Sequence, residues 1–394
     1  MRRAVITHAF RTPIGKFLGQ WSDLSAVELG TSIASGLLAK AGVPAADVGL
    51  TIFGCARQAG LGPNPARQVA IRSGIPETSP AWTINLACGS GLWAIVQAAQ
   101  SIALGDADVV LAGGMENMTR VPFLLPQLRK GYRMGHAPVV DAMYQDGFNC
   151  PLADQPMGAT ADTLARQYTL SREEQDAYAC RSHNRYEAAL TRGAFADEVL
   201  PLTVKSKAGP VSVTADEHPR AGASIADFAK LPPHFDPKAG FVTAGNASGI
   251  ADGAAAVLVM SEEAARARGL EPLAVVEGHA ISGVDPKVMG LGPVPSTRAL
   301  MKRVGRELAA YDLVELNEAF AAQVLACDRD LRIDPDRLNV NGGSIAMGHP
   351  IGCSGARIVA TLLHELRRRG GKLGLATLCI SGGQGIAVSF VRSW

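Results

Sequence analysis

Two cysteines, one histidine and one asparagine stand where their chemistry could be put to use. Cys88 follows Asn85-Leu86-Ala87 at the end of a β-rich run and precedes Gly89-Ser90-Gly91 and an apolar helical pattern. The positive end of a helix stabilises a thiolate, which lowers the thiol pKa and makes a nucleophile. A turn there also leaves backbone N–H groups aimed at whatever the sulfur attacks. The plain alternative is a buried, inert cysteine. Cys379 holds the corresponding place late in the chain, at a strand end before Ser381-Gly382-Gly383-Gln384-Gly385, with a small core residue as the alternative. His349 lies inside Asn341-Gly342-Gly343-Ser344-Ile345-Ala346-Met347-Gly348-His349-Pro350-Ile351-Gly352-Cys353-Ser354-Gly355, which holds five glycines. Glycine at that density weakens helices and strands but lets a ligand approach the main chain. A glycine-rich turn with an incidental histidine is the competing reading. Asn317 opens Asn317-Glu318-Ala319-Phe320-Ala321 after a strand, as a helix cap or as an amide that orients a water or a ring nitrogen.

The elements that must carry these residues alternate. Strand patterns at 4–7, 48–53, 82–85 and 107–112 are separated by helical patterns at 25–41 and 92–104, with a sharp turn at 88–91. Such alternation specifies a layered α/β fold. The last third repeats the plan. Residues 312–316 answer 47–51, and Cys353-Ser354-Gly355 with the helix to Arg369 answers Gly89-Ser90-Gly91 with its helix. The strand 373–378 lies as far beyond Gly355 as 109–112 lies beyond Gly91. Matching order and spacing indicate a duplication, and in such a fold the strand ends meet where the halves face each other. Two cysteines and a histidine in one pocket are hard to explain by packing. Cys55, Cys150, Cys180, Cys327 and Cys353 are assigned to structure.

The expected division is an N-terminal half, 1–118, completed by about 250–270, an inserted loop domain, 119–249, and a C-terminal half, 271–394. Within the insertion, 124–139 reads as loop with Arg129, Lys130 and Arg133 close together. A long helix follows, opened by the capping box Ser171-Arg172-Glu173-Glu174 and stopped near Gly193, and then Pro/Gly-rich chain runs to Gly249. Insertions of this size carry substrate or subunit contacts.

Composition excludes several classes. A chain of 394 residues, 47% hydrophobic and 19% charged, builds a large core and is not a disordered chain. A net charge of +2 supplies no general pull toward nucleic acid. Seven cysteines, with no C-x-x-C pair and no zinc-spaced cluster, point to neither a disulfide framework nor a metal site. They fit a reducing, cytoplasmic setting. The start, Met1-Arg2-Arg3-Ala4, lacks a signal-peptide core, and the end, Arg392-Ser393-Trp394, is not a peroxisomal tripeptide. The uncharged stretch 78–105 is broken by Pro80, Asn85, Gly89, Ser90 and Gly91, so a buried helix is expected there and not a membrane span.

In this order, Arg11-Thr12-Pro13-Ile14-Gly15, Asn85-Leu86-Ala87-Cys88-Gly89-Ser90-Gly91, Gly113-Gly114-Met115-Glu116, Ala244-Gly245-Asn246-Ala247-Ser248-Gly249, Asn317-Glu318-Ala319-Phe320 and the His349 stretch resemble the thiolase family of acyl-CoA acyltransferases from end to end. The resemblance implies a duplicated, layered α-β-α-β-α fold with an inserted loop domain. It implies that His349 accepts the proton of Cys88, which becomes an acyl-enzyme, and that Cys379 is the acid or base for the carbon beside the acetyl-CoA carbonyl. It implies two oxyanion holes, one from His349 and a water held by Asn317, the other from the backbone N–H groups of Cys88 and Ser381. Met157, Arg220, Ser248, Met289 and Phe320 fall on positions that touch CoA or the acyl group; for Arg220 a solvated surface arginine is the alternative. Coenzyme A is then a co-substrate, no cofactor is covalently bound, and the assembly is a homo-oligomer, dimer or tetramer, with 124–139 resembling the tetramer-forming segment. The implied reaction is thiolytic cleavage of 3-oxoacyl-CoA to acetyl-CoA and a shortened acyl-CoA, or its reverse.

Two departures bear on this reading. Ser381 replaces a usual glycine, which would violate any glycine-only backbone angle there. Pro156 replaces a histidine found in many short-chain biosynthetic members. A biosynthetic enzyme restricted to two acetyl-CoA molecules is one alternative, and a non-catalytic acyl-CoA or lipid-binding protein is another. A decarboxylating ketoacyl synthase would need a second histidine where Cys379 stands.

Overall fold

The computed structural model describes residues 2–206 and 209–392; Met1 and the Ser393-Trp394 end, on which the readings of the two termini partly rest, lie outside them. In chain order the elements that build and position the site are β1 (Ala4–Arg11), α1 (Ala26–Ala41), β2 (Leu50–Gly54), α2 (Pro65–Arg72), β3 (Ala81–Ile84), α3 (Ser90–Leu104) and β4 (Val109–Asn117). The middle of the chain adds α4 (Met157–Gln167), α5 (Arg172–Thr191) and β5 (Ala251–Ser261). The last third supplies β6 (Ala274–Gly283), α6 (Pro293–Val304), β7 (Leu313–Leu316), α7 (Ala321–Leu331), α8 (Ile351–Arg369), β8 (Leu373–Ile380) and β9 (Gln384–Val391).

The strands hydrogen-bond in the order β7-β8-β9-β6-β1-β5-β4-β2-β3. Outward from the seam between β6 and β1, the first two pairings on each side are antiparallel and the third is parallel. Over these three pairings the order is the same in both halves, as a duplication requires, and β3 adds a fourth, parallel pairing to the N-terminal half alone. The seam itself is narrow, with Val5 opposite Val275 and Ile6 opposite Ala274.

Every residue of β4 and β5 is buried, because helices cover both faces of the sheet. α1 and α2 pack on the outer face of the N-terminal half through Leu29, Ile33, Leu37 and Val69. α6 and α7 pack on the outer face of the C-terminal half through Val294, Leu300 and Val324. Between the halves lie α3 and α8, whose Leu92, Ile95, Leu362 and Leu366 share one core with Ile52, Val110, Leu378 and Val388 from both. The layers thus run α-β-α-β-α. The uncharged stretch 78–105 forms β3 and α3. That helix is apolar and long enough to cross a membrane, yet it is the middle layer of this stack.

The two central helices meet at their N-termini through glycine. A Cβ on Gly91 would lie 2.9 Å from both the Ala356 nitrogen and the Gly352 oxygen, and one on Gly355 would overlap the Leu92 backbone. Only hydrogen at these positions permits the approach. It sets the chain before α3, which carries Cys88, beside the chain before α8, which carries His349.

Residues 119–249 hold α4, α5 and three short hairpins. The expected capping box opens α5, with Ser171 and Glu174 bonded reciprocally. Arg11 ties this segment to the core: fully buried, it donates to Glu198 at 2.6 Å and to Asp216 at 2.7 Å. Tyr186 of α5 donates to Asp216 and Thr361 of α8 to Glu198. Two local points go beyond the sequence reading. α2 has no counterpart in the sequence reading, although Asn64-Pro65, which caps and starts it, is a helix-start signal. Asn317 is not a helix cap; Phe320 precedes α7, and the Asn317 side chain is used elsewhere.

Candidate active site

Cys88 projects from a turn that its neighbours brace. Ala87 has φ +43°, a left-handed conformation that a non-glycine residue holds only under constraint. Asn85 Oδ1 accepts the Ala87 N–H at 3.0 Å. Ser90 Oγ accepts the Leu86 N–H at 2.8 Å and donates to the Ala87 carbonyl at 2.6 Å. The backbone N–H groups of Ser381 and Cys88 lie near the Cys88 sulfur, where they favour the thiolate. Burial nevertheless pushes the thiol up to about 11, outweighing the guanidinium of Arg57 and both N–H groups. The expected depression of this pKa is reversed, because desolvation of the sulfur exceeds what a helix terminus returns. At neutral pH Cys88 rests as a thiol.

His349 is buried, and burial, reinforced by the positive charges of Arg357 and Arg57, lowers its pKa to about 3. The neutral ring has a defined tautomer. Ser354 Oγ donates to the Pro350 carbonyl at 2.9 Å, so at 2.5 Å from Nδ1 it accepts the Nδ1 proton. Nε2 is left unprotonated. The amide of Asn317 is oriented by the same logic. Arg357 donates to Ser344 Oγ at 2.9 Å, so the Ser344 hydroxyl donates to Asn317 Oδ1 at 2.6 Å. Asn317 Nδ2 therefore faces Nε2, at a loose 3.5 Å.

Cys379 lies near the end of β8, buried. Burial, then the neighbouring Cys88, holds this thiol well above its ordinary range. Ser381 does not adopt a left-handed angle; that demand falls on Gly382 and Gly383, each at φ +85°. The replacement of glycine at Ser381 thus demands no left-handed angle, and its N–H stays near the Cys88 sulfur.

Cys88, His349, Cys379 and Ser381 line one cavity of about 340 Å³. Met157, Ser248, Met289 and Phe320 are on its wall, as is Pro156. Asn317 is behind His349 and not on the wall. Arg220 is also off the wall: its guanidinium lies 5.6 Å from the Phe228 ring centre and donates to the carbonyl of Ala244, a rim residue. The cavity has two apolar ends. Ala56, Met118, Phe148 and Ile351 cluster around Cys88, whereas Met289, Ala319, Met157 and Phe320 cluster around Cys379. Among the described residues no group of three His, Cys, Asp or Glu side chains could hold a metal ion.

Three residues that shape the site received no role in the sequence reading. Glu116 accepts the N–H groups of Ala56, Arg57 and Gly352 at 2.9 to 3.0 Å, joining the wall beside Cys88 to the start of α8. Its presence in Gly113-Gly114-Met115-Glu116 was the available signal. Glu318 accepts from Tyr178, Ser182, Asn339 and the Ile345 N–H, and so pins the Asn317 segment to the glycine-rich loop. Arg57 lines the cavity, and nothing in its local sequence marks it.

The arrangement offers a thiol beside two backbone N–H groups, a neutral imidazole unprotonated at Nε2 and a second thiol. That set suits acyl transfer combined with proton transfer at carbon. The family description "Thiolase, N-terminal domain" matches residues 4–263 and "Thiolase, C-terminal domain" matches 270–392. An acetyl-CoA acetyltransferase of Pseudomonas aeruginosa is 50% identical over 393 residues, spanning 100% of both chains. The crystal structure of the Bacillus anthracis acetyl-CoA acetyltransferase superposes with a TM-score of 0.97 at 43% identity, covering 99% of each chain. Human mitochondrial 3-ketoacyl-CoA thiolase in complex with CoA superposes with a TM-score of 0.95 at 42% identity, covering 100% of this chain and 98% of that one.

Proposed function

The chain belongs to the thiolase family, and from that premise we propose that it cleaves 3-oxoacyl-CoA reversibly through an acyl thioester on Cys88. As the Cys88 sulfur attacks the 3-oxo carbon, His349 Nε2 takes the thiol proton. The bond between C2 and C3 then breaks, and its electron pair leaves as the enolate of acetyl-CoA, which Cys379 protonates. The thiol of a free CoA next gives its proton to the Cys379 thiolate and attacks the acyl-Cys88 carbonyl; His349 Nε2 returns its proton to the departing Cys88 sulfur as a shortened acyl-CoA is released. In the reverse direction Cys379 removes the proton from acetyl-CoA. The oxyanion formed on the Cys88-bound carbon takes the N–H groups of Cys88 and Ser381. The enolate oxygen is assigned to protonated His349 and a water oriented by Asn317 Nδ2.

One observation carries this reading: Cys88, Cys379, the Ser381 backbone and a neutral His349 with Nε2 unprotonated share one cavity. The neutral resting pair fits a mechanism in which the proton moves as the sulfur attacks, not one that starts from a thiolate–imidazolium pair. Cys88→Ala is expected to abolish acyl-enzyme detected by intact mass. Cys379→Ala is expected to retain Cys88 acylation and lose carbon–carbon cleavage and formation. Unchanged turnover in either variant would sink the assignment.

A narrower enzyme restricted to acetoacetyl-CoA is favoured by relatives named acetyl-CoA acetyltransferase. Pro156 on the cavity wall, and the apolar end around Cys88, support longer acyl groups. Thiolysis over 3-oxoacyl-CoA esters of rising length separates the two, and activity confined to acetoacetyl-CoA refutes the broader range. Coenzyme A is assigned to the cavity along Met157, Ser248, Met289 and Phe320, with Arg220 outside at the rim. A homo-oligomer is proposed because the loop after β4 exposes Leu128, Met134 and Val139; a monomeric mass by light scattering would refute it. A cytoplasmic setting is proposed because all seven cysteines are free and the chemistry needs two of them reduced.

A further inference from the structure

Arg57 is the one permanently charged side chain on the cavity wall among the described residues. It is only 8% exposed, its Nε is buried without a partner, and its guanidinium makes no hydrogen bond or ion pair to any described residue. Glu116 feels the charge of Arg57, but its carboxylate oxygens take the backbone N–H groups of Ala56, Arg57 and Gly352 and form no hydrogen bond or ion pair with the guanidinium. The position is built around the side chain. A Cβ on Gly147 would overlap the guanidinium, so glycine there leaves the room it occupies, and the edge-to-face pair Tyr144 and Phe148 flanks that glycine. Buried donors are almost always satisfied, and a charged one left open on a cavity wall calls for an acceptor supplied by the ligand.

The end of the cavity that holds Arg57 identifies that part of the ligand. Ala56, Met118, Phe148 and Ile351 surround Cys88, whereas Cys379 has its own apolar surroundings at the other end. In the thiolysis proposed above, on which this inference rests, Cys88 bonds to the 3-oxo carbon. The remainder of the acyl chain therefore extends at the Cys88 end, and the departing acetyl-CoA unit lies toward Cys379. We propose that Arg57 pairs with a carboxylate at the far end of the acyl chain, so that the preferred substrates are 3-oxoacyl-CoA esters of dicarboxylic acids. A guanidinium and a carboxylate make two parallel charge-assisted hydrogen bonds, which fix orientation as well as affinity. A methyl-ended chain of the same length would leave the guanidinium unpaired and dry.

The test compares 3-oxoadipyl-CoA and 3-oxosuberyl-CoA with methyl-ended 3-oxohexanoyl-CoA and 3-oxooctanoyl-CoA, with acetoacetyl-CoA as a common reference. The wild-type enzyme is expected to favour a carboxylate-ended ester over its methyl-ended counterpart by about 10- to 100-fold in kcat/KM, the worth of one charge-assisted pair. Arg57→Met is expected to bring that ratio to about one or below, and Arg57→Lys to retain part of it. Equal wild-type rates on the paired esters, or a preference for the methyl-ended ones, overturn the proposal. So does an Arg57→Met variant that lowers both members of a pair equally, since Arg57 would then serve only the charge at Cys88. Should Arg57→Met fail to fold, the wild-type ratio decides alone. No thiolysis of any ester, acetoacetyl-CoA included, would instead refute the thiolase assignment.

Discussion

At the scale of single residues, burial governs protonation. His349 and Cys88 are both neutral at rest because the cavity wall removes water from them, and each is poised to charge only when a proton crosses between them. This has a cost in acid. The folded pKa of His349, about 3, lies below the ordinary imidazole value of 6.5, so the unfolded chain binds the proton first as pH falls. Stability is full above about pH 6.5 and is lost progressively toward pH 3. His183, lowered to about 4 by burial and by Arg220 and His218, acts in the same direction. At pH 5 each removes about 2 kcal/mol. Urea midpoints measured at pH 7.5 and pH 5 are expected to differ less in His349→Gln than in the wild type. An equal drop in both proteins would mean that His349 titrates normally in the fold.

At the scale of elements, the site depends on the crossing of α3 and α8. Both helices begin with glycines because backbone meets backbone there, and flexible side chains cannot absorb an added methyl group. Gly355→Ala is expected to destabilise the protein by about 1–3 kcal/mol through overpacking. It is also expected to reduce kcat, since the shift separates the chain carrying Cys88 from the chain carrying His349. Urea unfolding and thiolysis rates on one preparation check both, and wild-type stability would show that the helices have slack. The strand ends follow the same plan. β8 delivers Cys379 and the Ser381 N–H, and the turn after β3 delivers Cys88, because equivalent strand and helix ends of the two halves face one cavity.

At the scale of the whole molecule, the segment between β4 and β5 closes the cavity and must be anchored. Met157, Phe235 and Ser248 on the wall all come from it. Its firmest tie to the core is the buried cluster of Arg11, Glu198, Asp216 and Tyr186. Arg11→Ala would leave two buried carboxylates without their cation, at a cost of about 3–5 kcal/mol. We expect a lowered melting temperature and faster proteolytic cleavage near residue 216 than in the wild type. Cleavage at the wild-type rate would show that this segment is held by other contacts.

The residue types and their immediate turns were legible without any structure. Cys88 before a helix, Cys379 near a strand end, the glycines around His349 and the repeated order of strands and helices are local patterns, and local sterics and hydrogen bonding follow from local sequence. Tertiary structure alone decided what these groups can do. It reversed the expected pKa shift of Cys88, because desolvation is set by atoms distant in the chain. It decided between the two readings of Asn317, against the cap and for a partner of His349, through a hydrogen-bond chain running back to Arg357. Arg220 was left at the rim, while Arg57, unremarkable among the other arginines of the sequence, was placed on the cavity wall. Proximity, burial and the direction of a hydrogen bond belong to the packed molecule, and no run of neighbouring residues encodes them.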